Sequence, residues 1–225
     1  MTSQIIPLRY FAHEAAEWIA GIAREAIAER GLFRVALAGG ETPRAVHEAL
    51  AGKKVDWSHV QVTFGDERCV PPEDADSNYR MAKESLFDRV SIPDGNVFRI
   101  RGEIAPEEAA REYENKLAAV AARFGETRYV HDLVLLGMGP DGHTASLFPG
   151  SLALDETVRN IIPATGSKPP PQRITMTFPL LNAARKVCFL VKSAEKLPLV
   201  EQIVAGDETL PAGRVRSRSV TWLVG

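Results

Sequence analysis

The chain has 225 residues, 45% of them hydrophobic, with 27 Lys and Arg against 29 Asp and Glu for a net charge of −2. A globular composition of this size can bury roughly 70–75% of its unfolded surface, so it needs neither disulfides nor a metal to hold a core. Disorder, a collagenous repeat and a disulfide scaffold are excluded, and the charge balance lacks the basic excess or stripe of a nucleic-acid binder.

No run reaches ~18 consecutive apolar residues, and the first residues lack the apolar core of a signal peptide. Cys69 and Cys188 are the only cysteines, far apart and in no C-x-x-C, which fits a reducing compartment. A cytoplasmic protein without membrane partners is expected. Length alone allows one large domain or two small ones.

The first predicted element is a helix over 12–30, with apolar residues at helical spacing and Gly31 placed to end it. A strand over 34–38 follows, and then Ala38-Gly39-Gly40-Glu41-Thr42-Pro43-Arg44. Thr42 is placed as N-cap and Pro43 as first residue of a helix over 43–51. Two glycines before a helix N-terminus make a ready anion site, and the segment is equally compatible with an ordinary strand–helix turn. The spacing and lysine of a Walker A loop are absent.

A strand over 60–64 leads into Gly65-Asp66-Glu67-Arg68. Three charged residues at a strand end form either a solvated ion-pair cluster or a site. In the second case the carboxylates hold substrate hydroxyls and Arg68 faces developing negative charge. Nothing around Cys69 supplies the base that an activated thiol needs. Asp76 or Ser77 caps a helix reaching Phe87, which returns Ser77 and Asn78 toward the same place. A strand over 97–100 and a helix over 106–124 come next.

After a strand over 132–136 the chain reads Gly137-Met138-Gly139-Pro140-Asp141-Gly142-His143-Thr144-Ala145-Ser146-Leu147-Phe148-Pro149-Gly150. Gly137, Gly139 and Gly142 match G-x-G-x-x-G. A dinucleotide fingerprint, however, opens a long helix and reaches an acid at the end of the next strand. Here Pro149-Gly150 stops any helix early, and Asp155 and Glu156 precede an apolar segment, so NAD is not expected. What the loop presents is Asp141 and His143, two apart. Histidine suits proton transfer near pH 7, and a carboxylate beside it orients the ring.

The proline-rich segment 166–172 reads as a crossover loop that sets Arg173 at the start of a strand. A strand over 186–191, containing a core Cys188, is followed by Lys192 and Lys196 around the start of a helix over 194–205. A strand over 220–224 ends the chain. Arg173, Lys192 and Lys196 are either surface cations or, with the glycine loop, a phosphate clamp. His13, His47, His59 and His131 show no metal-ligand spacing, and there is no G-x-S-x-G elbow. No metal and no organic cofactor are expected.

Short, nearly continuous apolar strands alternating with helices predict an α/β fold. Its core is a single open, mostly parallel sheet with helices on both faces, formed as one domain over 1–225. Ligands of such sheets bind outside the carboxyl ends of the strands, where all four polar junctions fall.

Taken together, Gly39-Gly40-Glu41-Thr42-Pro43, Gly65-Asp66-Glu67-Arg68 with Ser77-Asn78-Tyr79, the block 137–150 and Arg173-Ile174-Thr175-Met176-Thr177 resemble the 6-phosphogluconolactonase family. The resemblance runs in order from about residue 30 to the C-terminus, and its block at 137–150 is highly specific. It implies a fold shared with glucosamine-6-phosphate deaminase and ribose-5-phosphate isomerase. It also implies cofactor-free hydrolysis of 6-phosphoglucono-δ-lactone, a phosphosugar lactone, in the oxidative pentose phosphate pathway.

Carried over by position, His143 is the general base on water, Asp141 its partner and Arg68 the oxyanion stabiliser. Gly39, Gly40, Thr42, Arg173 and Lys196 are candidates for the 6-phosphate, with Asp66, Asn78 and Gly139 as further substrate contacts. Three stretches depart from the family pattern. Ala38 and Glu41 stand where serines are common, so Glu41 must point away from a bound phosphate. Ser193 replaces the glycine of the usual Gly-x-x-Lys-Ala, and the C-terminus lacks a common acidic residue. A monomer is expected, with a weak homodimer as the alternative.

Two other functions compete. A sugar-phosphate isomerase or deaminase of the same superfamily needs a carboxylate shortly after the histidine, and residues 144–148 hold none. A non-enzymatic sugar-phosphate sensor needs a nucleic-acid-binding segment, for which the chain has no spare length.

Overall fold

The computed structural model describes residues 2–166 and 169–225. Ser167 and Lys168, within the proline-rich loop expected to position Arg173, lie outside the described residues.

Six parallel strands form the main sheet: β1 (Thr2–Pro7), β2 (Phe33–Leu37), β3 (Val60–Phe64), β5 (Leu133–Leu136), β8 (Lys186–Val191) and β9 (Ser219–Val224). Their spatial order is β1-β9-β8-β5-β2-β3. The inner strands β2, β5 and β8 are buried along their length apart from Lys186 at the start of β8, as strands covered on both faces must be. From β2 the chain moves outward to β3, whereas from β5 it moves the other way to β8. The loops leaving the adjacent strands β2 and β5 therefore diverge and open a crevice at the switch point of the sheet.

A second, antiparallel sheet was not foreseen. It consists of β4 (Asp66–Arg68), β7 (Gln172–Met176) and β6 (Ile161–Thr165) in the order β4-β7-β6. Gly65 joins β3 to β4, and its carbonyl accepts from Met176 N at 2.8 Å. The small sheet thus continues past the carboxyl end of the large one and walls one side of the crevice. β4 has only three residues, and β6 carries Pro163, so neither shows a legible strand period. β1 was missed for a related reason. It is an edge strand whose Thr-Ser-Gln start is exposed.

The segment 97–100 is not a strand. Val97 makes a single bridge to Val62, and Phe98 N donates to Val62 O at 2.8 Å. Beyond that point the buried hydroxyl of Tyr113 takes the place of the ladder. It accepts from Phe64 N at 3.0 Å and donates to Phe98 O at 3.1 Å. Tyr113 comes from α4 (Pro106–Arg123), so a helix side chain satisfies groups that a seventh strand would have paired.

The other helices are α1 (Phe11–Arg30), α2 (Glu41–Ala51), α3 (Asn78–Ser85), α5 (Phe178–Ala183) and α6 (Leu197–Val204). α1 ends at a left-handed Gly31, as the sequence predicts. α2 starts two residues earlier than predicted. Its N-cap is Gly40, at φ 103°, and Thr42 and Pro43 lie in the first turn, where the missing N–H of proline costs nothing. Ser77 caps α3 by accepting from Arg80 N at 3.1 Å. α6 is preceded by a 3-10 turn, Ala194–Lys196, so the predicted helix over 194–205 is split. No described helix is long and apolar enough to cross a membrane.

Candidate active site

A cleft of about 240 Å3 opens at the carboxyl ends of β2, β3, β5 and β8. It continues into a second lobe of about 330 Å3 beside the small sheet. Gly39, Gly40, Thr42, Asn78, Gly139 and Lys196 line the first lobe, and Asp141 and Arg173 line the second. Asp66, Arg68, Ala145 and His143 line both and mark the junction. The eleven catalytic and substrate-binding candidates carried over by position therefore meet in one cleft, although they come from six separate stretches of chain.

The first lobe is built around the loop after β2. Gly40, Glu41 and Thr42 at the α2 N-terminus line the lobe, where backbone N–H groups lack intrahelical partners and the helix dipole has its positive end. Thr42 offers its hydroxyl from inside the first turn and not as the cap. Glu41 stands at the exposed rim. A Cβ on Gly39 would lie 1.9 Å from Asn78 Oδ1, so only glycine lets α3 approach this loop.

Asn78 is more a bracket than a free ligand. Its Nδ2 donates to Asp66 O at 2.9 Å and to Asp66 Oδ1 at 3.1 Å, which uses both amide hydrogens. Ser146 Oγ donates to the other Asp66 oxygen at 2.6 Å. The Asp66 carboxylate is thus fixed from two sides and still has lone pairs for a hydroxyl in the cleft.

Glu67 does not face the cleft. It is 2% exposed and accepts hydrogen bonds from Arg68 N, Asn78 N, Tyr79 N and Ser77 Oγ at 2.7–3.1 Å. Burial raises its pKa to about 6 against the pull of these backbone donors. Contrary to the expectation from the sequence, this carboxylate is therefore turned away from any substrate hydroxyl.

The loop after β5 carries the titratable pair. His143 Nδ1 lies 2.5 Å from Asp141 Oδ1, and His143 N donates to the same oxygen at 3.3 Å. Burial opposes ionisation of Asp141, but these two hydrogen bonds outweigh it and hold the carboxyl below its ordinary range. The ring packs on Phe148, with centroids 4.6 Å apart. Thr144 Oγ1 closes the loop onto Gly137 O at 2.8 Å.

No helix follows the loop. Instead Ala145 adopts a left-handed φ of 48°, a conformation costing roughly 1 kcal/mol for an L residue. That turn brings Ser146 to Asp66 and lets Ser146 N donate to Thr175 Oγ1 at 3.2 Å. Ser146 and Thr175 were not singled out as site residues. Both stand inside motifs already quoted, but nothing in their spacing says which partner they reach.

Cations surround the junction. Arg68 lies opposite Arg173 in the β4–β7 ladder. Burial and then the Arg68 charge lower the Arg173 pKa. Arg68 Nη1 donates to Asp76 O at 2.5 Å. Lys196 Nζ donates to Met138 O at 2.7 Å, and Lys192 is exposed at the rim of the first lobe. Arg173 was grouped with the glycine loop and Lys196; the structure sets it in the other lobe, beside Arg68. Cys69 is half-buried, and burial raises its thiol pKa, the opposite of an activated nucleophile. Among the described residues no group of three or more His, Cys, Asp or Glu is arranged to hold a metal ion.

An open α/β sheet with a cationic, glycine-rich cleft at its switch point and one His–Asp pair defines a protein for a small anionic ligand that undergoes proton transfer. Known proteins narrow this class. The family model described as glucosamine-6-phosphate isomerases/6-phosphogluconolactonase matches residues 9–223. A 6-phosphogluconolactonase of Synechocystis is 44% identical over 184 residues, covering 81% of this chain and 76% of its own. The human 6-phosphogluconolactonase is 40% identical over 209 residues, covering 91% of this chain and 79% of its own. The crystal structure of the 6-phosphogluconolactonase from Thermotoga maritima superposes with a TM-score of 0.90 at 33% identity over the whole of both chains. The chain belongs to the glucosamine-6-phosphate isomerase/6-phosphogluconolactonase family.

Proposed function

We propose that the protein hydrolyses 6-phosphoglucono-δ-lactone to 6-phosphogluconate, as a single chain that supplies every residue of its site. The observation that carries this reading is the His143–Asp141 pair, with the His143 ring and Arg68 both lining the two lobes of the cleft. A carboxylate on Nδ1 leaves Nε2 as the basic nitrogen.

The phosphate takes the first lobe, held by the amides around Gly39 and Gly40, by Thr42, and by Lys192 or Lys196. Being remote from the reacting carbon, it supplies binding energy that orients the ring. Asp66 accepts from a sugar hydroxyl. His143 Nε2 takes a proton from water as the water oxygen bonds to the lactone carbonyl carbon. The tetrahedral oxyanion faces Arg68, with Arg173 adding positive potential from behind. As the intermediate collapses, the bond from C1 to the ring oxygen breaks and His143 returns its proton to that oxygen. The new carboxylic acid then ionises to solvent.

No covalent enzyme intermediate is required. A δ-lactone is already electrophilic, and positioning plus one general base, worth about 10²–10⁴ in rate, complements that reactivity. Isomerisation or deamination fits less well. Residues 144–148 hold no acid, and both oxygens of Asp66 are tied to Asn78 and Ser146, which disfavours its use as a carbon base.

The direct test is a coupled assay of 6-phosphogluconate release at mildly acidic pH, where spontaneous opening is slow. Acceleration over buffer is expected. A rate equal to buffer would sink the reading.

A further inference from the structure

We propose that Glu67 is a positioning residue of the active site: its buried carboxylate ties β4 to the start of α3 and so sets where Arg68 and Asn78 enter the cleft. This role presupposes lactone hydrolysis with Arg68 at the oxyanion.

Glu67 is the middle residue of a three-residue strand. Side-chain alternation therefore places Asp66 and Arg68 on the cleft face and Glu67 on the opposite one, where it is 2% exposed. Its Oε1 accepts from Arg68 N at 2.8 Å and from Asn78 N at 2.7 Å. Its Oε2 accepts from Tyr79 N at 2.8 Å and from Ser77 Oγ at 3.1 Å. One oxygen thus holds the backbone of both cleft residues at once.

Starting the helix does not require this carboxylate, because Ser77 already caps α3 through Arg80 N. Nor is a buried carboxylate an economical way to gain stability: desolvation disfavours its charged form and outweighs the four donors here. What it uniquely provides is two adjacent acceptors with no donor, which match four convergent donors from two elements. The Asn78 side chain has a hold of its own, since its Nδ2 donates to Asp66 O and Oδ1, so an error at Glu67 falls chiefly on Arg68.

Glu67→Gln keeps the volume and replaces one acceptor oxygen by an NH2 that faces N–H groups. The test is a double-mutant cycle on the intact protein with Arg68→Ala, following kcat, KM and far-UV circular dichroism. Glu67→Gln should fold, lose about tenfold in kcat and keep KM within about threefold, since a transition-state contact is displaced. In the Arg68→Ala background it should cost no more than about twofold, because residues acting through one another are not additive. Wild-type kcat in folded Glu67→Gln, or losses that simply multiply, would overturn the proposal. Should Glu67→Gln fail to fold, Glu67→Asp runs the same cycle. It keeps both acceptors one methylene short, and a kcat loss that vanishes without Arg68 again supports the role, whereas lowered stability alone refutes it. Wild-type turnover in Arg68→Ala would remove the oxyanion assignment and this role with it. Failure of the unmodified protein to open the lactone would remove hydrolysis itself, whatever Glu67→Gln does.

Discussion

His143 Nδ1 and Asp141 Oδ1 lie 2.5 Å apart, and the imidazole also packs against the face of Phe148. In the proposed mechanism the carboxylate has two uses: it assigns the proton to Nδ1, and it stabilises the imidazolium formed when Nε2 takes a proton from water. His143→Ala should lower kcat by about 10²–10⁴ and leave the affinity for 6-phosphogluconate nearly unchanged, because the residues proposed to hold the phosphate, Gly39, Gly40 and Thr42, belong to a different loop of the first lobe. Asp141→Asn should lower kcat by about 10² or more through the wrong tautomer. Stopped assays for kcat and calorimetry for product binding separate the two effects. Near-wild-type turnover in His143→Ala would refute the general-base assignment.

Gly139 enforces the placement of that pair. A Cβ there would lie 2.2 Å from both Nδ1 and Cε1 of His143 and 2.6 Å from Asp141 Oδ1. Gly139→Ala must push the ring or its carboxylate aside, and a displacement near 1 Å can cost about 10² in rate. The expected result is a folded protein with strongly reduced kcat and a melting temperature near that of the wild type. Unchanged kcat would mean that the ring has freedom the structure does not suggest.

How far the site could be read from the sequence follows from what each residue contacts. His143, Asp141 and the glycines around them were legible because local spacing places them on one loop after a strand. The core strands were legible because burial on both faces leaves a continuous apolar run. Ser146 and Thr175 were not, because their partners lie 80 and 29 residues away. Nor was the opposite use of Asp66 and Glu67, which depends on a three-residue strand paired with β7. Arg173 was assigned to the phosphate by analogy, and only the register of β4 against β7 sets it beside Arg68. The segment 97–100 had a strand's composition and lost its ladder to a tyrosine hydroxyl from α4.

That hydroxyl makes a stability prediction. Tyr113→Phe removes the group that joins Phe64 N to Phe98 O and leaves a buried donor and acceptor unpaired. The cost should be about 1–3 kcal/mol, seen as a lower urea midpoint with an unchanged slope. The hydroxyl touches neither lobe of the cleft, so kcat/KM should stay within about twofold. Full retention of stability would mean that 97–100 re-forms a ladder or admits water.

Two buried histidines and one buried glutamate set opposing pH dependences. His131, whose Nε2 meets Thr63 Oγ1 at 2.8 Å, is lowered to about 3 by burial and then by Arg34. His47 is lowered to about 4 by burial. In both cases the unfolded state binds the proton first, so their contribution is present above pH 6.5 and is lost progressively as pH falls toward 4. Glu67 acts the other way. Its folded pKa of about 6 lies above the ordinary 4.5, so it disfavours folding above pH 6 and this penalty fades as pH falls through that window. Between pH 7 and 4.5 each histidine loses nearly two decades of preference and Glu67 regains little more than one. At 1.36 kcal/mol per decade, the net is a loss of roughly 3 kcal/mol. Urea unfolding at the two pH values should show that drop, and His131→Gln should remove about half of the histidine share. Stability that holds or rises at pH 4.5 would contradict the neutral burial of both rings.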